Sequence, residues 1–196
     1  MRLVLCSGSP RRREMLSRIG LRFDVEIPRV PESRDAGERI ATYPERLARD
    51  KASAGLEAWR ERGSQGPAVA LAADTIVVLG EEVLEKPRDR ADALRMLRRL
   101  SGVEHRVITG VCVATESEKR SRSVVTGVRF TDLSDAALRW LVESGDGDDK
   151  AGAYGIQGLA GAFVERIDGS FSNVVGLPLT ETLQLLAGAG LRMPWG

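Results

Sequence analysis

The sequence predicts an α/β fold, a long mixed central sheet with helices around it. Two observations carry that expectation. Ala68 to Leu79 is an almost unbroken apolar run, and segments with helical spacing of apolar residues alternate with short apolar runs along the rest of the chain. A continuous stretch rich in Ala, Val and Ile suits a central strand covered on both faces, because neither face meets water. With 196 residues, 42% of them apolar, the chain is long enough to bury a full core. Residues 1–196 are read as a single domain.

Leu3 to Cys6 is a short strand that breaks at Ser7-Gly8-Ser9-Pro10 and runs into a helix from Arg11 to Ile19. Ser9 stands at the N-cap, and Pro10 suits the first turn, where a missing N–H costs nothing. Phe23 to Ile27 reads as a second short strand before a polar stretch rich in Glu, Arg and Pro. Pro44 to Arg62 is a long helix whose packed side holds Leu47, Ala48, Ala52, Leu56 and Trp59, and Gly63 to Pro67 ends it. Only Asp74 and Thr75 interrupt the apolar strand that follows. Gly80-Glu81-Glu82 then turns the chain, Val83 and Leu84 return it, and a helix runs from Asp89 to Leu100. His105 to Thr115 and Ser121 to Phe130 flank a charged turn and read as a hairpin. Leu133 to Ser144 is helical with Ser134 as its cap. The acidic loop Asp146 to Asp149 lacks the spacing of a calcium loop and reads as a solvated turn. A Gly-rich stretch from Ala151 to Gly158, a strand from Ala162 to Ile167 and a last helix from Gly176 to Ala187 complete the chain.

Lys plus Arg number 29 against 28 Asp plus Glu, so no net field draws the chain to nucleic acid or to a membrane surface. Three Trp, two Tyr and four Phe give few platforms for stacking bases. Any polyanion must therefore be met locally. Cys6 and Cys112 lie in apolar runs and read as buried core thiols rather than disulfide or metal partners. The apolar stretch at the N-terminus is too short for a signal peptide and no segment approaches a membrane span, which makes the cytoplasm the expected location.

A strand running into Ser7-Gly8-Ser9-Pro10-Arg11-Arg12 at a helix start presents backbone N–H groups suited to an anion. Arginines in a first helical turn oppose the helix dipole, and a bound phosphate would compensate them; a capped surface helix with solvated arginines suits the same residues. Asp74 lies inside an apolar strand, where a charge loses solvation unless a metal, a catalytic role or hydrogen-bond partners compensate it. Lys51, Lys86 and Glu32, taken one at a time, read as ordinary surface charges. Gly152, Gly155 and Gly158 free the backbone to approach a ligand, and Gln157 among them offers both a donor and an acceptor; a tight turn is the alternative. His105 is the only histidine and has no Ser or Cys partner in a recognisable nucleophile setting. There is no Walker loop, zinc spacing or dinucleotide fingerprint.

Together these stretches resemble the Maf family of nucleotide pyrophosphatases along essentially the whole chain. The matching islands are Ser7 to Arg12, Arg46-Leu47-Ala48 with Lys51-Ala52, Ala73-Asp74-Thr75, Lys86-Pro87, Leu100-Ser101-Gly102 with His105 and Thr109-Gly110-Val111, Asp149 to Gly158, Gly169-Ser170, and Val175 to Leu179. The resemblance implies an α/β fold with two lobes around a cleft along an elongated sheet, as in inosine triphosphate pyrophosphatases. It also implies that Asp74 is the catalytic acidic residue and that Glu32, Lys51 and Lys86 have active-site roles. Ser7, Ser9, Arg11, Arg12, Thr75 and Gln157 would then bind substrate. A triphosphate carries about four negative charges, which Lys51, Lys86 and Arg12 would meet while Mg2+ or Mn2+ bridges phosphate oxygens. An isolated carboxylate, with an ordinary pKa of about 3.9, is a weak base near neutrality. The expectation is therefore that Asp74 takes a proton from metal-activated water, with Glu32 as the second acidic group at the metal. Pro31 stands where relatives often carry a second acidic residue.

The family divides at positions that here read Arg11, Thr75 and Gln157, a combination similar to its dTTP/UTP branch. A branch acting on 7-methyl-GTP typically carries an aromatic residue, Gln and Glu instead. A pyrimidine edge presents acceptor, donor and acceptor, which an amide can answer from both ends and a carboxylate cannot. Other nucleotides, modified or damaged, and a non-catalytic regulator of septum formation are the competing readings. The partner expected is a nucleoside triphosphate rather than nucleic acid or membrane, and a homodimer accords with base rates.

Overall fold

The computed structural model describes residues 1–64 and 66–195, so residue 65 of the expected turn and the last residue of the expected domain lie outside the described residues. The strands are β1 (Arg2–Cys6), β2 (Asp24–Glu26), β3 (Ala68–Leu79), β4 (Glu82–Leu84), β5 (Glu104–Ala114), β6 (Lys119–Phe130) and β7 (Val164–Asp168). The helices are α1 (Pro10–Arg18), α2 (Tyr43–Glu61), α3 (Arg90–Leu100), α4 (Asp135–Ser144), α5 (Phe171–Val175) and α6 (Leu179–Gly188). The strands form one seven-stranded sheet in the order β2-β1-β3-β5-β6-β7, with β4 paired to β3 off that path. β1 runs parallel to both neighbours, with Val4 opposite Asp24 and Ala70. β4 is antiparallel to β3, and β7 to β6, so the sheet is mixed. No helix among the described residues is long and apolar enough to cross a membrane.

The chain divides into two compact units. The first comprises Met1–Asp74, Thr109–Val124 and the residues from Gly176 onward; the second comprises Thr75–Ile108 and Val125–Val175. In the first unit, Ala48, Ala52, Leu56 and Trp59 of α2 pack on Val4 and Cys6 of β1, Ala70 and Ala72 of β3, and Cys112 and Ala114 of β5. Small residues on both sides let the helix lie close to the sheet. At Gly55 the approach is so tight that an added Cβ would stand 2.7 Å from the Cβ of Cys6 and closer still to its Sγ. Burial pushes the Cys6 thiol up to about 12 and the Cys112 thiol to about 11, so both are core groups that stay protonated.

The second unit is built on α3, through Ala93, Met96, Leu97 and Leu100, and α4, through Leu138, Leu141 and Val142. Both pack with Val77, Val107, Val128 and Phe130. Asp89 caps α3 by accepting from the Asp92 N–H, and Ser134 caps α4 by accepting from the Ala137 N–H. His105 is buried in this core, its Nε2 2.7 Å from the Tyr154 hydroxyl and its ring 5.5 Å from that of Phe130. Desolvation lowers its pKa from 6.5 to about 4, against weaker opposing influences of the Val103 backbone and Glu104.

Three sequence expectations need correction. The last helix begins at Leu179, not at Gly176, because Gly176 adopts φ 119° and Pro178 stands at the N-cap. A separate short helix, α5, precedes that break. β7 begins two residues later than expected, after a 3-10 turn over Leu159–Phe163. At α1, Ser9 occupies the N-cap but its side chain makes no capping bond. Its backbone N–H instead donates to the Ser7 Oγ at 3.2 Å.

Two outcomes follow from this packing. In Gly55→Ala, the gain in helix propensity of about 1 kcal/mol is outweighed by overpacking against Cys6, so chemical denaturation should give a net loss of about 1–2 kcal/mol. For His105, the unfolded state binds the extra proton between pH 6.5 and about 4, so stability falls as pH drops through that window. The slope should reach at most about 1.4 kcal/mol per pH unit and flatten in His105→Gln, as measured by urea midpoints against pH.

Candidate active site

β1 ends at Cys6, and the buried Ser7 that follows organises the next turn. Its Oγ accepts from the Ser9 N–H and, at 3.1 Å, from an Nη of Arg12. The Arg12 Nε donates to the Gly176 carbonyl at 2.7 Å. That carbonyl is available because Gly176 lies outside a helix, which gives the corrected start of α6 a consequence at this site. Burial lowers the Arg12 pKa, Asp74 opposes the shift, Arg11 reinforces it and Glu32 opposes it. Two guanidiniums and two carboxylates of the first unit thus lie within electrostatic reach of one another.

Leu47, Ala48, Lys51, Ala52 and Gly55 share the buried face of α2, so helical spacing turns Lys51 inward rather than to solvent. Its side chain is 11% exposed, its Nζ donates to Asp74 Oδ1 at 2.7 Å, and it lies 2.6 Å from Glu32 Oε1. Lys51 taken alone reads as a surface charge; the structure corrects this, because the sheet face that α2 covers carries the carboxylate it pairs with. Asp74 stands where burial along β3 relaxes after six fully buried residues, and its side chain is 13% exposed. Glu32 is half exposed on the loop between β2 and α2.

Two residues that carry no site role in the sequence reading hold that loop. The buried Tyr43 donates its hydroxyl to the Glu32 carbonyl at 2.9 Å. Arg46 donates to the Ser33 carbonyl at 2.9 Å and makes a bidentate pair with Glu38 at 2.7 and 2.9 Å. Arg46 lowers the Glu38 pKa, and Glu38 in turn raises that of Arg46. The available signal was Tyr43 and Arg46 at i, i+3 in the first turn of α2, just after a polar loop containing Glu38.

Thr75 follows Asp74 directly along β3 and begins the second unit, which also carries Lys86 and Gln157. Lys86 is exposed just beyond β4, next to Glu85, whose carbonyl accepts from the Gly152 N–H at 3.2 Å. Gly152 needs its φ of 71° and also its lack of a side chain, since a Cβ there would meet Val77 at 3.0 Å. Gln157 is exposed within the turn closed by the Gly158 N–H on the Gly155 carbonyl. The structure therefore gathers Ser7, Ser9, Arg11, Arg12, Glu32, Lys51 and Asp74 in the first unit and leaves Thr75, Lys86 and Gln157 to the second.

Among the described residues no group of three or more His, Cys, Asp or Glu side chains is arranged to hold a metal. Asp74 and Glu32 nevertheless converge on one cationic nitrogen. That donor set suits Mg2+, which takes one or two carboxylates and completes its shell with water and substrate phosphate. An α/β sheet with a basic turn after its first strand and a lysine joining two carboxylates is a centre suited to a polyphosphate.

The chain belongs to the Maf family: the family profile described as Maf-like protein matches residues 2–189. It is 53% identical over 185 residues to a dTTP/UTP pyrophosphatase of Vibrio cholerae, covering 94% of this chain and 96% of the relative. Relatives of the same name from Hahella chejuensis and Anaeromyxobacter dehalogenans are 49% and 51% identical, over 98% and 99% of this chain and 94% and 97% of their own lengths.

Lys51→Met leaves two carboxylates facing each other without their shared cation and should lower stability by about 1–3 kcal/mol. In a double-mutant cycle with Asp74→Asn, denaturant midpoints should give a coupling of about 1–2 kcal/mol. Strict additivity would mean that the pair contributes no interaction of its own.

Proposed function

We propose that this chain is a nucleoside triphosphate pyrophosphatase that hydrolyses dTTP and UTP, and modified pyrimidine triphosphates of the same shape, to the monophosphate and pyrophosphate. The observation that carries the reading is the Lys51 ammonium held 2.7 Å from Asp74 and 2.6 Å from Glu32, within a chain about half identical to relatives bearing that name. The family match over residues 2–189 supports treating the whole chain as one pyrophosphatase domain.

In the proposed reaction water attacks the α-phosphorus, the bond from that phosphorus to the bridging oxygen breaks, and pyrophosphate leaves. The water proton passes to the Asp74 carboxylate. Lys51 holds Asp74 through Oδ1, which fixes the orientation of the base before substrate arrives. Arg12, fastened by Ser7 and the Gly176 carbonyl, presents a pre-oriented guanidinium for phosphate oxygens. Ser7, Ser9 and Arg11 add donors from the same turn, and Lys86 is a further cation suited to phosphate. Asp74 and Glu32 would hold Mg2+ or Mn2+, which when bound neutralises phosphate charge and makes the attacking water more acidic.

Thr75, Arg11 and Gln157 carry the choice of base in this reading. The Gln157 amide offers both a donor and an acceptor to a pyrimidine edge. The cytoplasm, where nucleoside triphosphates are held, is the compartment the activity requires, and a homodimer is the association base rates favour.

The test is pyrophosphate release from dTTP, UTP, CTP, GTP, ITP and 7-methyl-GTP with Mg2+ or Mn2+. The native protein should prefer dTTP and UTP, and Asp74→Asn should lose about 10²–10⁴-fold in kcat. Gln157→Glu should lower kcat/KM for dTTP about tenfold or more. A purine preference, or unchanged dTTP selectivity in Gln157→Glu, would overturn the roles given to these residues.

A further inference from the structure

The acidic loop before the Gly-rich stretch does more than turn the chain. The Asp146 Oδ2 accepts from the Leu159 N–H at 3.2 Å, thirteen positions further along the chain. The Lys150 Nζ donates to the Asp146 carbonyl and, at 2.7 Å, to Asp149 Oδ1, and lies 3.8 Å from Asp146 Oδ1. Although lysines are ordinarily solvated, the Lys150 side chain is only 16% exposed. Asp148 and Asp149 are exposed, as expected of a solvated turn, while Asp146 and Lys150 fold back beneath it.

The two glycines flanking Ile156 and Gln157 rest on this pair. A Cβ at Gly155 would stand 2.7 Å from Cε and 2.8 Å from Cδ of Lys150. A Cβ at Gly158 would stand 2.6 Å from the Asp146 carboxyl carbon. Neither glycine has a positive φ, so the close approach of these side chains, not backbone conformation, leaves no room for a Cβ unless Lys150 or Asp146 moves. On the preceding side, Tyr154 is tied to His105 in the core. Gln157 therefore projects from a turn whose shoulders are seated on the stem of Lys150 and the carboxylate of Asp146, with Ile156 packed on the core and Leu159 tied to that carboxylate.

We propose that Asp146 and Lys150 are positioning residues for pyrimidine recognition, bracing the turn that presents Gln157 to the base. The proposal rests on the functional reading above and on Gln157 meeting the base in it. Gly158 is part of the same device, since a methyl group there displaces the turn from Asp146.

The experiment measures dTTP turnover in Asp146→Ala, Lys150→Met and Gly158→Ala, each alone and combined with Gln157→Ala. Asp148→Asn, an exposed change in the same loop, serves as control. The bracing role predicts a KM for dTTP raised about tenfold with kcat within about twofold in each brace variant. It also predicts little further loss when Gln157 is already Ala, and native behaviour in the control. Backbone hydrogen exchange at Leu159 should quicken in Asp146→Ala, reporting the brace without substrate. Native turnover of dTTP with unchanged KM in Asp146→Ala and Lys150→Met overturns the positioning role while leaving the functional reading intact. Full additivity with Gln157→Ala overturns it as well, since a purely structural loss would add. A native protein that turns over no pyrimidine triphosphate overturns both together.

Discussion

The ammonium of Lys51 between the carboxylates of Asp74 and Glu32 is the contact around which the first unit's charged groups are arranged. Asp74 lies well inside a strand covered on both faces, where a charge without compensation would cost several kcal/mol in lost hydration. One cation supplies that compensation for two anions, and the cluster keeps a net negative charge suited to a divalent ion. The basic turn after β1 stands within electrostatic reach, as the opposed influences of Asp74 and Arg11 on Arg12 make plain. Mutual compensation allows Lys51 and Asp74 to be held with little solvent, and it also makes each of them costly to remove singly.

Close packing of α2 on the sheet is what brings that ammonium into place. Ala48, Ala52 and Gly55 on the helix meet Cys6, Ala70 and Ala72 on the sheet, so Lys51 reaches Asp74 from a helix with little side-chain volume beneath it. From its first turn the same helix extends Tyr43 and Arg46 to the loop carrying Glu32. One element thus positions the lysine directly and one of its acidic partners through the backbone of a loop. A long helix with a buried face suits this task better than a second loop would, because its side-chain directions are fixed by hydrogen bonds that do not depend on the site.

The second unit carries an exposed polar residue, Gln157, on a short glycine-rich turn. Glycine removes steric limits but adds conformational freedom, so such a turn is precise only if other groups restrain it. Here the restraints are the His105–Tyr154 contact in the core, the Gly152 N–H on the Glu85 carbonyl, and the Asp146–Lys150 pair under the flanking glycines.

Much of the fold was legible in the sequence because it follows from local rules. The run from Ala68 to Leu79, the cap Ser134 and the apolar faces of the helices announce their elements without reference to distant residues. The candidate residues were legible as separate islands, together with the family they resemble. What the sequence could not decide was which charge meets which. Lys51 is indistinguishable from a surface lysine until α2 docks on β3, and Tyr43 and Arg46 act on a loop whose path is set by non-local contacts. The start of the last helix was misread because the apolar pattern continues through Gly176, whose carbonyl is taken by Arg12 from the other end of the chain. Periodicity and capping are properties of neighbours along the chain and are written in the sequence itself. The contact of Lys51 with Asp74 joins residues 23 positions apart and that of Arg12 with Gly176 residues 164 apart, and only the folded backbone brings those partners within a few ångströms.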